Sequence, residues 1–281
     1  MSAVGGKAEL VWREPSAIPG KGLTFGCTIL YLSVVILIPL AAIVLRPWSN
    51  GIGGFVAILT SPRVLAALEL SYVTAAIAAL LNTFFGLVVA WTLTRYRFPL
   101  RRVVDSVIDL PFALPTSVAG IALSALYTHT GWLGAPLAAV GIDVAYTRLG
   151  ILVALVFIGL PFVVRTIEPV LAEMSLEAEE AAATLGATRY QTLYRVVLPA
   201  LAPALVTGST LAFARAVGEY GSVIFIAGNL PMVSEIAPLL IVIKLEEFDY
   251  AGASAIGVIM LITSLSILFA LNALQRRLAR Q

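Results

Sequence analysis

The sequence predicts an all-α membrane protein in which six helices cross a bilayer. Its 281 residues are 60% hydrophobic and 12% charged, whereas soluble globular chains carry about a quarter charged residues. A spanning helix needs about 20 mainly apolar residues, and six stretches approach that length. A further stretch, 236–243, is apolar but too short to span, so we expect it to lie at the interface or to re-enter the membrane. The predicted spans are 23–45, 70–94, 107–128, 149–164, 203–227 and 252–274.

The first two predicted spans contain no charged residue. The apolar run that begins at Leu23 is longer than the apolar core of a signal peptide, which has about 7–15 residues, so we expect it to remain as an anchor. The third span is interrupted by Asp109, Pro111 and Pro115, which predicts a bent or broken helix. The fourth span is short, and it can extend through Arg165 if that side chain reaches the headgroups.

Two of the predicted spans carry charged residues. In the fifth span, Arg215 and Glu219 are four positions apart, so they share a helical face and can pair. Because ionisable groups inside spans usually face the bundle interior or a water-filled path, this pair is either a structural link between subunits or an electrostatic gate. At the start of the third span, Asp105 and Asp109 are expected to cap the helix and to pair with the arginines at 101–102. The sixth span has no charge.

Positive charge predicts the orientation, because the cytoplasmic loops of membrane proteins collect Lys and Arg. The best assignment places both termini in the cytoplasm and one membrane domain, 23–275, between the cytoplasmic tails 1–22 and 276–281. The basic residues expected inside are Lys7, Arg13, Lys21, Arg95, Arg97, Arg101, Arg102, Arg165, Arg189, Arg195, Arg276, Arg277 and Arg280, against Arg46, Arg63, Arg148 and Lys244 outside.

Several classes of function are excluded by composition and motifs. The net charge of +2 is small and the basic residues are unclustered, so no nucleic-acid partner is expected. Cys27 is the single cysteine, so no internal disulfide can form. His129 is the single histidine, which excludes a site with several imidazoles. The Gly-Lys pairs at 6–7 and 20–21 are not followed by Ser or Thr as in a P-loop, and no Gly-x-Ser-x-Gly elbow occurs. The sequence therefore predicts no catalytic, cofactor-binding or metal-binding residues.

The segment between the fourth and fifth spans is polar, and it is predicted to form two short cytoplasmic helices. Ser175 is expected to cap the first helix, and Gly186 to end it with a positive φ. Thr188 is expected to cap the second helix, which Pro199 and Pro203 close before the fifth span begins. Spacing alone leaves two interpretations open: a solvated loop packed on its own membrane domain, or a docking element for a cytoplasmic partner.

A longer pattern in this segment favours the docking element. Glu180-Ala181-Ala182, three residues, Gly186, nine residues and then 196–199 (Val-Val-Leu-Pro) resembles the EAA motif of the integral membrane subunits of ABC-type importers, except that valine replaces the usual isoleucine at 196. The resemblance implies the type I ABC importer permease fold, which is MetI/ModB-like, with coupling helices in the cytoplasmic loop 173–199. It also implies contact with an ATPase subunit through Glu180, Ala181, Ala182, Gly186, Leu198 and Pro199.

Three further passages, 110–123, 213–229 and 245–256, resemble the T subunits of sulfate/thiosulfate importers. Molybdate permeases share the first passage and the Gly-Glu-aromatic-Gly core of the second. The resemblance implies a permease subunit in the bacterial inner membrane, for sulfate/thiosulfate or alternatively for molybdate or tungstate; an ATP-independent anion transporter is a further alternative. The implied partners are a second homologous permease (the W subunit), two copies of a cytoplasmic ATPase that alone binds ATP, and a periplasmic sulfate/thiosulfate-binding protein.

The proline break in the third span is predicted to line the translocation path. Broken helices at membrane depth are tolerated only where they face protein or a water-filled path. Thr116 and Ser117 offer hydroxyl groups directly after Pro115, and together with Arg215 and Glu219 they form the predicted path or gate. The alternative is that the prolines only kink a buried helix.

Overall fold

The computed structural model describes residues 21–278, and these residues form helices and no strand. Most of the predicted N-terminal tail and half of the predicted C-terminal tail fall outside the described residues. Within the described part, five helical runs are long and apolar enough to cross a membrane: Gly22–Ser49, Pro62–Arg95, Arg148–Glu173, Arg189–Val217 and Tyr250–Ala273. The segment predicted as the third span is broken into shorter helices.

The chain divides into two compact units, Met1–Leu45 and Arg46–Gln281. The described part of the first unit is one helical run, and no side chain between positions 22 and 45 is buried. The predicted first span is thus found as a long apolar helix. Its parts are α1 (Lys21–Leu32), a π-helical turn (Ser33–Leu37) and α2 (Ile38–Leu45).

The second unit contains four long helices and several short ones. The order is a 3₁₀ turn (Arg46–Asn50), α3 (Gly51–Leu59), α4 (Pro62–Arg95), α5 (Arg101–Ile108), α6 (Leu110–Ala113), α7 (Thr116–Tyr127), α8 (Gly134–Ala139), α9 (Arg148–Glu173), α10 (Glu177–Thr184), α11 (Arg189–Thr192), a π-helical turn (Leu193–Val197), α12 (Leu198–Val217), α13 (Val223–Ile226), α14 (Ala237–Glu246) and α15 (Tyr250–Leu278).

The core of this unit lies where α4, α9 and α12 pack together. Small residues let the helices approach closely, as is common in membrane bundles. A Cβ built on Gly86 of α4 would lie 2.7 Å from Val163 Cγ1 of α9, and one built on Gly159 of α9 would lie 2.3 Å from Asn82 Nδ2 of α4. Val163 follows Gly86 in the sequence by the same number of positions as Gly159 follows Asn82. The two helices therefore run parallel. We call the end where both helices finish, next to α10, the coupling end, and the opposite end the far end.

A smaller apolar cluster joins the far end of α4 to the last two helices. Its buried members are Val64, Ala67, Ala237, Leu240 and Ile256. The Tyr72 hydroxyl of α4 donates to the Met260 carbonyl oxygen of α15 at 3.0 Å. The apolar stretch 236–243, predicted as too short to span, is found in α14, a 10-residue helix outside the spanning runs.

The predicted break of the third span is confirmed. Pro115 has φ −55° and ψ 132°, so the chain is extended between α6 and α7, and only Thr116–Tyr127 remains as a continuous apolar helix, too short for the spanning set. Pro115 cannot donate a backbone hydrogen bond, and its ring disfavours a helical conformation in the residue before it.

Two predicted boundaries around the fifth span are wrong. Pro199 and Pro203 do not close the second short helix, because Arg189–Val217 is one continuous helical run. A π-helical turn directly before α12 changes the hydrogen-bond register, and Pro199 then occupies the first turn of α12, where a proline is tolerated. The span also ends at Val217 rather than at 227, because Gly218 terminates α12 and a separate short helix follows.

Candidate coupling loop and translocation path

The loop 173–199, which we call the coupling loop, forms two short helices joined at Gly186. Gly186 has φ +81°, as predicted, and a Cβ added there would meet no atom within 4 Å. The Gly186 amide donates to the Ala183 carbonyl at 3.0 Å, and the Ala187 amide donates to the Ala182 carbonyl at 3.0 Å. The glycine is therefore favoured here by its backbone conformation, since space for a side chain is available.

The two helix starts in this loop differ from each other. Thr188 caps α11, as predicted: its Oγ1 accepts from the Gln191 amide at 3.4 Å, and Gln191 Oε1 accepts from the Thr188 amide at 2.8 Å. The prediction that Ser175 caps the first helix is wrong, because Leu176 occupies the cap position without a side-chain hydrogen bond. The start of α10 is instead stabilised by acidic residues in its first turn, because a negative charge is favourable near the positive end of the helix dipole.

The loop residues of the EAA pattern lie largely at the surface. Glu180, Ala181, Gly186 and Pro199 are exposed, and Ala182 and Leu198 are partly buried. Three large side chains beside them are also open to solvent: Leu185 at 88%, Tyr190 at 77% and Tyr194 at 66%. Exposed apolar side chains that together form a patch are typical of a protein interaction surface.

A cavity of about 740 Å³ lies at the coupling end, between the last turns of α4 and the coupling loop. Apolar and aromatic side chains such as Trp91, Tyr96 and Leu201 line most of it, together with Glu179 and Arg189. A crevice therefore lies between part of the coupling loop and the last turns of α4.

The proline break meets the loop that follows α12. A Cβ built on Gly221 would lie 2.2 Å from Thr116 Oγ1, and one built on Gly120 would lie 2.3 Å from the Ser222 carbonyl oxygen. The structure therefore brings together passages 110–123 and 213–229, which are distant in sequence. We call this meeting of 115–120 with 218–222 the break contact. Within it Thr116 is partly buried, and Pro115 and Ser117 are exposed.

Arg215 and Glu219 form the predicted ion pair beside the break contact. The Glu219 side chain is 1% exposed and that of Arg215 is 33% exposed. Glu219 Oε1 also accepts hydrogen bonds from the Ser222 amide and the Ser222 hydroxyl, both at 2.9 Å. The buried carboxylate is therefore satisfied by three donors, and it joins the end of α12 to the start of α13.

Asp105 and Asp109 do not pair with Arg101 or Arg102, so that prediction is wrong. Both carboxylates pair with Arg165 of α9 instead, at 2.7 Å for Asp105 and 2.6 Å for Asp109. Arg165 Nη1 also lies 2.6 Å from Glu168 Oε2. Arg165 therefore holds the segment of α5 and α6 against α9 rather than extending freely toward headgroups.

Among residues 21–278, the structure shows no group of three or more His, Cys, Asp or Glu side chains that could hold a metal ion. The sequence did not indicate the roles of three residues in the functional regions: Arg95, its ion-pair partner Glu179, and Arg165. Each of them makes an ion pair that depends on the tertiary fold, and the sequence signal is limited to the two arginines, whose charge stands at the end of or inside an apolar segment.

The chain is similar over most of its length to sulfate transport system permease proteins. The Escherichia coli (strain K12) sulfate transport system permease protein CysT is 48% identical over 264 residues, which cover 94% of this chain and 95% of that protein. The Synechocystis sulfate transport system permease protein CysT is 49% identical over 249 residues, or 89% of this chain and 87% of that protein. A probable sulfate transport system permease protein cysT from Nephroselmis olivacea is 48% identical over 248 residues, or 88% of this chain and 87% of that protein.

Solved structures show the same fold at low sequence identity. A chain of a bacterial alginate ABC transporter, crystallised with an alginate pentasaccharide-bound periplasmic protein, has a TM-score of 0.74 and 18% identity, with 90% of this chain and 93% of that chain covered. A chain of the inward-facing MetNI methionine ABC transporter has a TM-score of 0.59 and 18% identity, with 76% and 95% covered. Residues 82–281 match the family described as the binding-protein-dependent transport system inner membrane component. This chain belongs to that family of ABC transporter permeases and has its type I permease fold.

Proposed function

We propose that this chain is the permease subunit of an ATP-driven importer for sulfate and thiosulfate, and that it has no catalytic activity of its own. The observation that carries the proposal is the 48% identity to a sulfate transport system permease over 94% of this chain. The 264 aligned residues are long enough that they include both the coupling loop and the break contact. Substrate and coupling mechanism are therefore expected to be shared with that relative.

The exposed EAA surface is the proposed docking site for a cytoplasmic ATPase. Glu180 and Ala181 are exposed on α10, and Leu185 and Tyr190 add apolar area on either side of Gly186. An apolar patch with a charge at its edge suits a protein partner, because the apolar area supplies affinity and the charge orients the partner. ATP binding and hydrolysis are assigned to that partner, and this chain is assigned no cofactor.

The break contact is the proposed lining of the translocation path. Thr116 and Ser117 stand at the N-terminus of α7, where hydroxyl groups and the positive end of the helix favour an anion. Arg215, one-third exposed, adds a guanidinium group whose charge is offset by Glu219. A partly neutralised cation attracts a dianion without holding it tightly, which suits passage more than storage. Pro115 keeps the chain open at this point.

The complete importer is expected to contain a homologous second permease (the W subunit), two copies of the ATPase and a periplasmic sulfate/thiosulfate-binding protein. The coupling end faces the cytoplasm of a bacterium in this proposal, with both termini inside and the far end toward the periplasm. ATP-driven closure of the two ATPases would draw the coupling loops together and open the path outward, and hydrolysis would reset it inward. Lipid surrounds the spans, and no nucleic acid takes part.

Competition between oxyanions tests the substrate. The complex reconstituted in liposomes should import labelled sulfate, and excess unlabelled thiosulfate should inhibit that import, whereas excess molybdate should have little effect. Import restricted to molybdate or tungstate would overturn the proposed substrate while leaving the permease assignment intact.

A further inference from the structure

The first coupling helix, α10, has little packing of its own against the membrane helices. None of its residues, Glu177–Thr184, is buried, and the cavity at the coupling end separates the loop from the last turns of α4. A surface helix normally holds its position by burying an apolar face. A side-chain contact from α10 to α4 would therefore add a second connection to the bundle, beside the continuous helical run Arg189–Val217.

One ion pair crosses from α10 to α4. Arg95 Nη2 donates to Glu179 Oε1 at 2.7 Å, and the two residues are 84 positions apart in sequence. Their side chains are only 16% and 25% exposed. A pair shielded in this way is stronger than a fully solvated one, because water screens it less.

The arginine is held in place on the α4 side. Arg95 is the last residue of α4, and its guanidinium carbon lies 5.6 Å from the centre of the Trp91 ring one turn earlier. Stacking of this kind restricts the orientation of the guanidinium group.

The neighbouring acids of α10 have different positions. Glu180, the first residue of the EAA pattern, is exposed, and so is Glu177, whereas Glu179 is partly buried against α4. Adjacent residues on a helix point about 100° apart, so one acid can face the ATPase while the next faces the bundle.

Helix α4 is suited to pass on a displacement from its last residue. Along its length it contacts α9 closely at Gly86 and at Asn82, which meet Val163 and Gly159. Closely packed interiors have low compressibility and transmit strain. A pull on Arg95 therefore reaches the bundle core rather than being absorbed locally.

We propose that the Arg95–Glu179 ion pair is a latch that links α10 to α4 and converts movement of the coupling loop into movement of the bundle. Arg95 and Glu179 are positioning residues in this mechanism, since neither contacts ATP or the transported anion. The inference rests on the proposed function, because it assumes that an ATPase moves α10.

The test measures how many ATP molecules are hydrolysed for each anion imported by the reconstituted complex. Arg95→Gln and Glu179→Gln should each raise this ratio about fivefold, since the loss of a pair of this strength changes an equilibrium by about that factor. Co-purification of the ATPase should stay normal. The matched control is Arg97→Gln, an exposed arginine two residues later, which should keep the wild-type ratio.

A charge exchange separates a latch from a simple structural contact. The double variant Arg95→Glu with Glu179→Arg should return the ratio to within about twofold of wild type, because the two positions exchange their opposite charges and still attract each other. Unchanged ratios in the single variants, failure of the exchange to restore coupling, or loss of ATPase co-purification would each overturn the proposal. The ratio is measured with whichever oxyanion the wild-type complex imports, so an error in the proposed substrate stays distinguishable from an error here.

Discussion

The coupling loop and the break contact both depend on glycine, but for different physical reasons. Gly186 in the loop has a positive φ and open space around it, whereas Gly120 and Gly221 in the break contact touch other chain segments. The first requirement concerns backbone conformation and the second concerns volume. At Gly186 there is room for a side chain but the backbone conformation disfavours one, whereas at Gly120 and Gly221 there is no room for a side chain.

The largest effect is expected at the break contact. In Gly120→Ala the new Cβ would lie 2.3 Å from the Ser222 carbonyl oxygen and 2.8 Å from Ser222 Cα, so the loop 218–222 must shift. Overpacking of this kind costs about 1–3 kcal/mol, and anion import should fall below detection. Import by Gly53→Ala, where the added Cβ meets nothing within 4 Å, should remain normal. Normal import by Gly120→Ala would show that the break contact is not rigid.

The next effect concerns the Arg215–Glu219 pair. Arg215→Gln removes the cation beside a carboxylate that is 1% exposed, and a buried carboxylate left without its partner destabilises the fold. The yield of assembled complex should therefore fall sharply. Because Arg215→Gln with Glu219→Gln removes both charges, assembly should recover in the double variant while anion import stays at least about tenfold low.

The double variant separates the two interpretations of this pair. Recovery of assembly without recovery of import places the guanidinium group in the path. Full recovery of import would make the pair purely structural and would remove Arg215 from the path. The amount of complex recovered by affinity purification provides the assembly readout, measured on the same preparations as the import.

A smaller effect is expected at the hinge of the coupling loop. Gly186→Val places a β-branched residue at φ +81°, which costs about 1–2 kcal/mol, so α10 and α11 should misalign while the spans stay inserted. Co-purification of the ATPase and its substrate-stimulated hydrolysis should both drop several-fold. Asparagine tolerates this backbone region, so Gly186→Asn should keep most of the activity. Normal hydrolysis in the valine variant would show that loop geometry does not control coupling.

The smallest effect is expected from charge reversal at the surface of the loop. Glu180→Lys should weaken ATPase binding about fivefold or less, because exposed charges contribute up to about 1 kcal/mol. Glu177→Lys, an exposed acid in the same first turn, controls for the change in helix stability. Equal binding by both variants, measured as retention of the ATPase on immobilised permease, would contradict a specific role for Glu180.

Local features of the fold were predictable from the sequence. The positive φ of Gly186, the Thr188 cap and the break at Pro115 follow from the chemistry of one residue and its immediate neighbours. The Arg215–Glu219 pair was predictable for the same reason, since a spacing of four places both side chains on one helical face.

Features that depend on distant segments were not predictable. Asp109 had a nearby arginine as its obvious partner, yet it pairs with Arg165, 56 positions away. The continuity of the helix through Pro199 depends on a π-helical turn, which has no simple sequence signal. The contact of Gly120 with Ser222 requires the packed bundle, so only the presence of the glycine was visible.

Uptake of labelled sulfate into liposomes that contain the whole importer tests the central claim most directly. With the binding protein on one face and ATP on the face that carries the coupling loop, sulfate should accumulate against its gradient. Omission of ATP or of the ATPase should abolish accumulation. Equal sulfate uptake without ATP would contradict an ATP-driven permease, and so would the absence of uptake when every component is present.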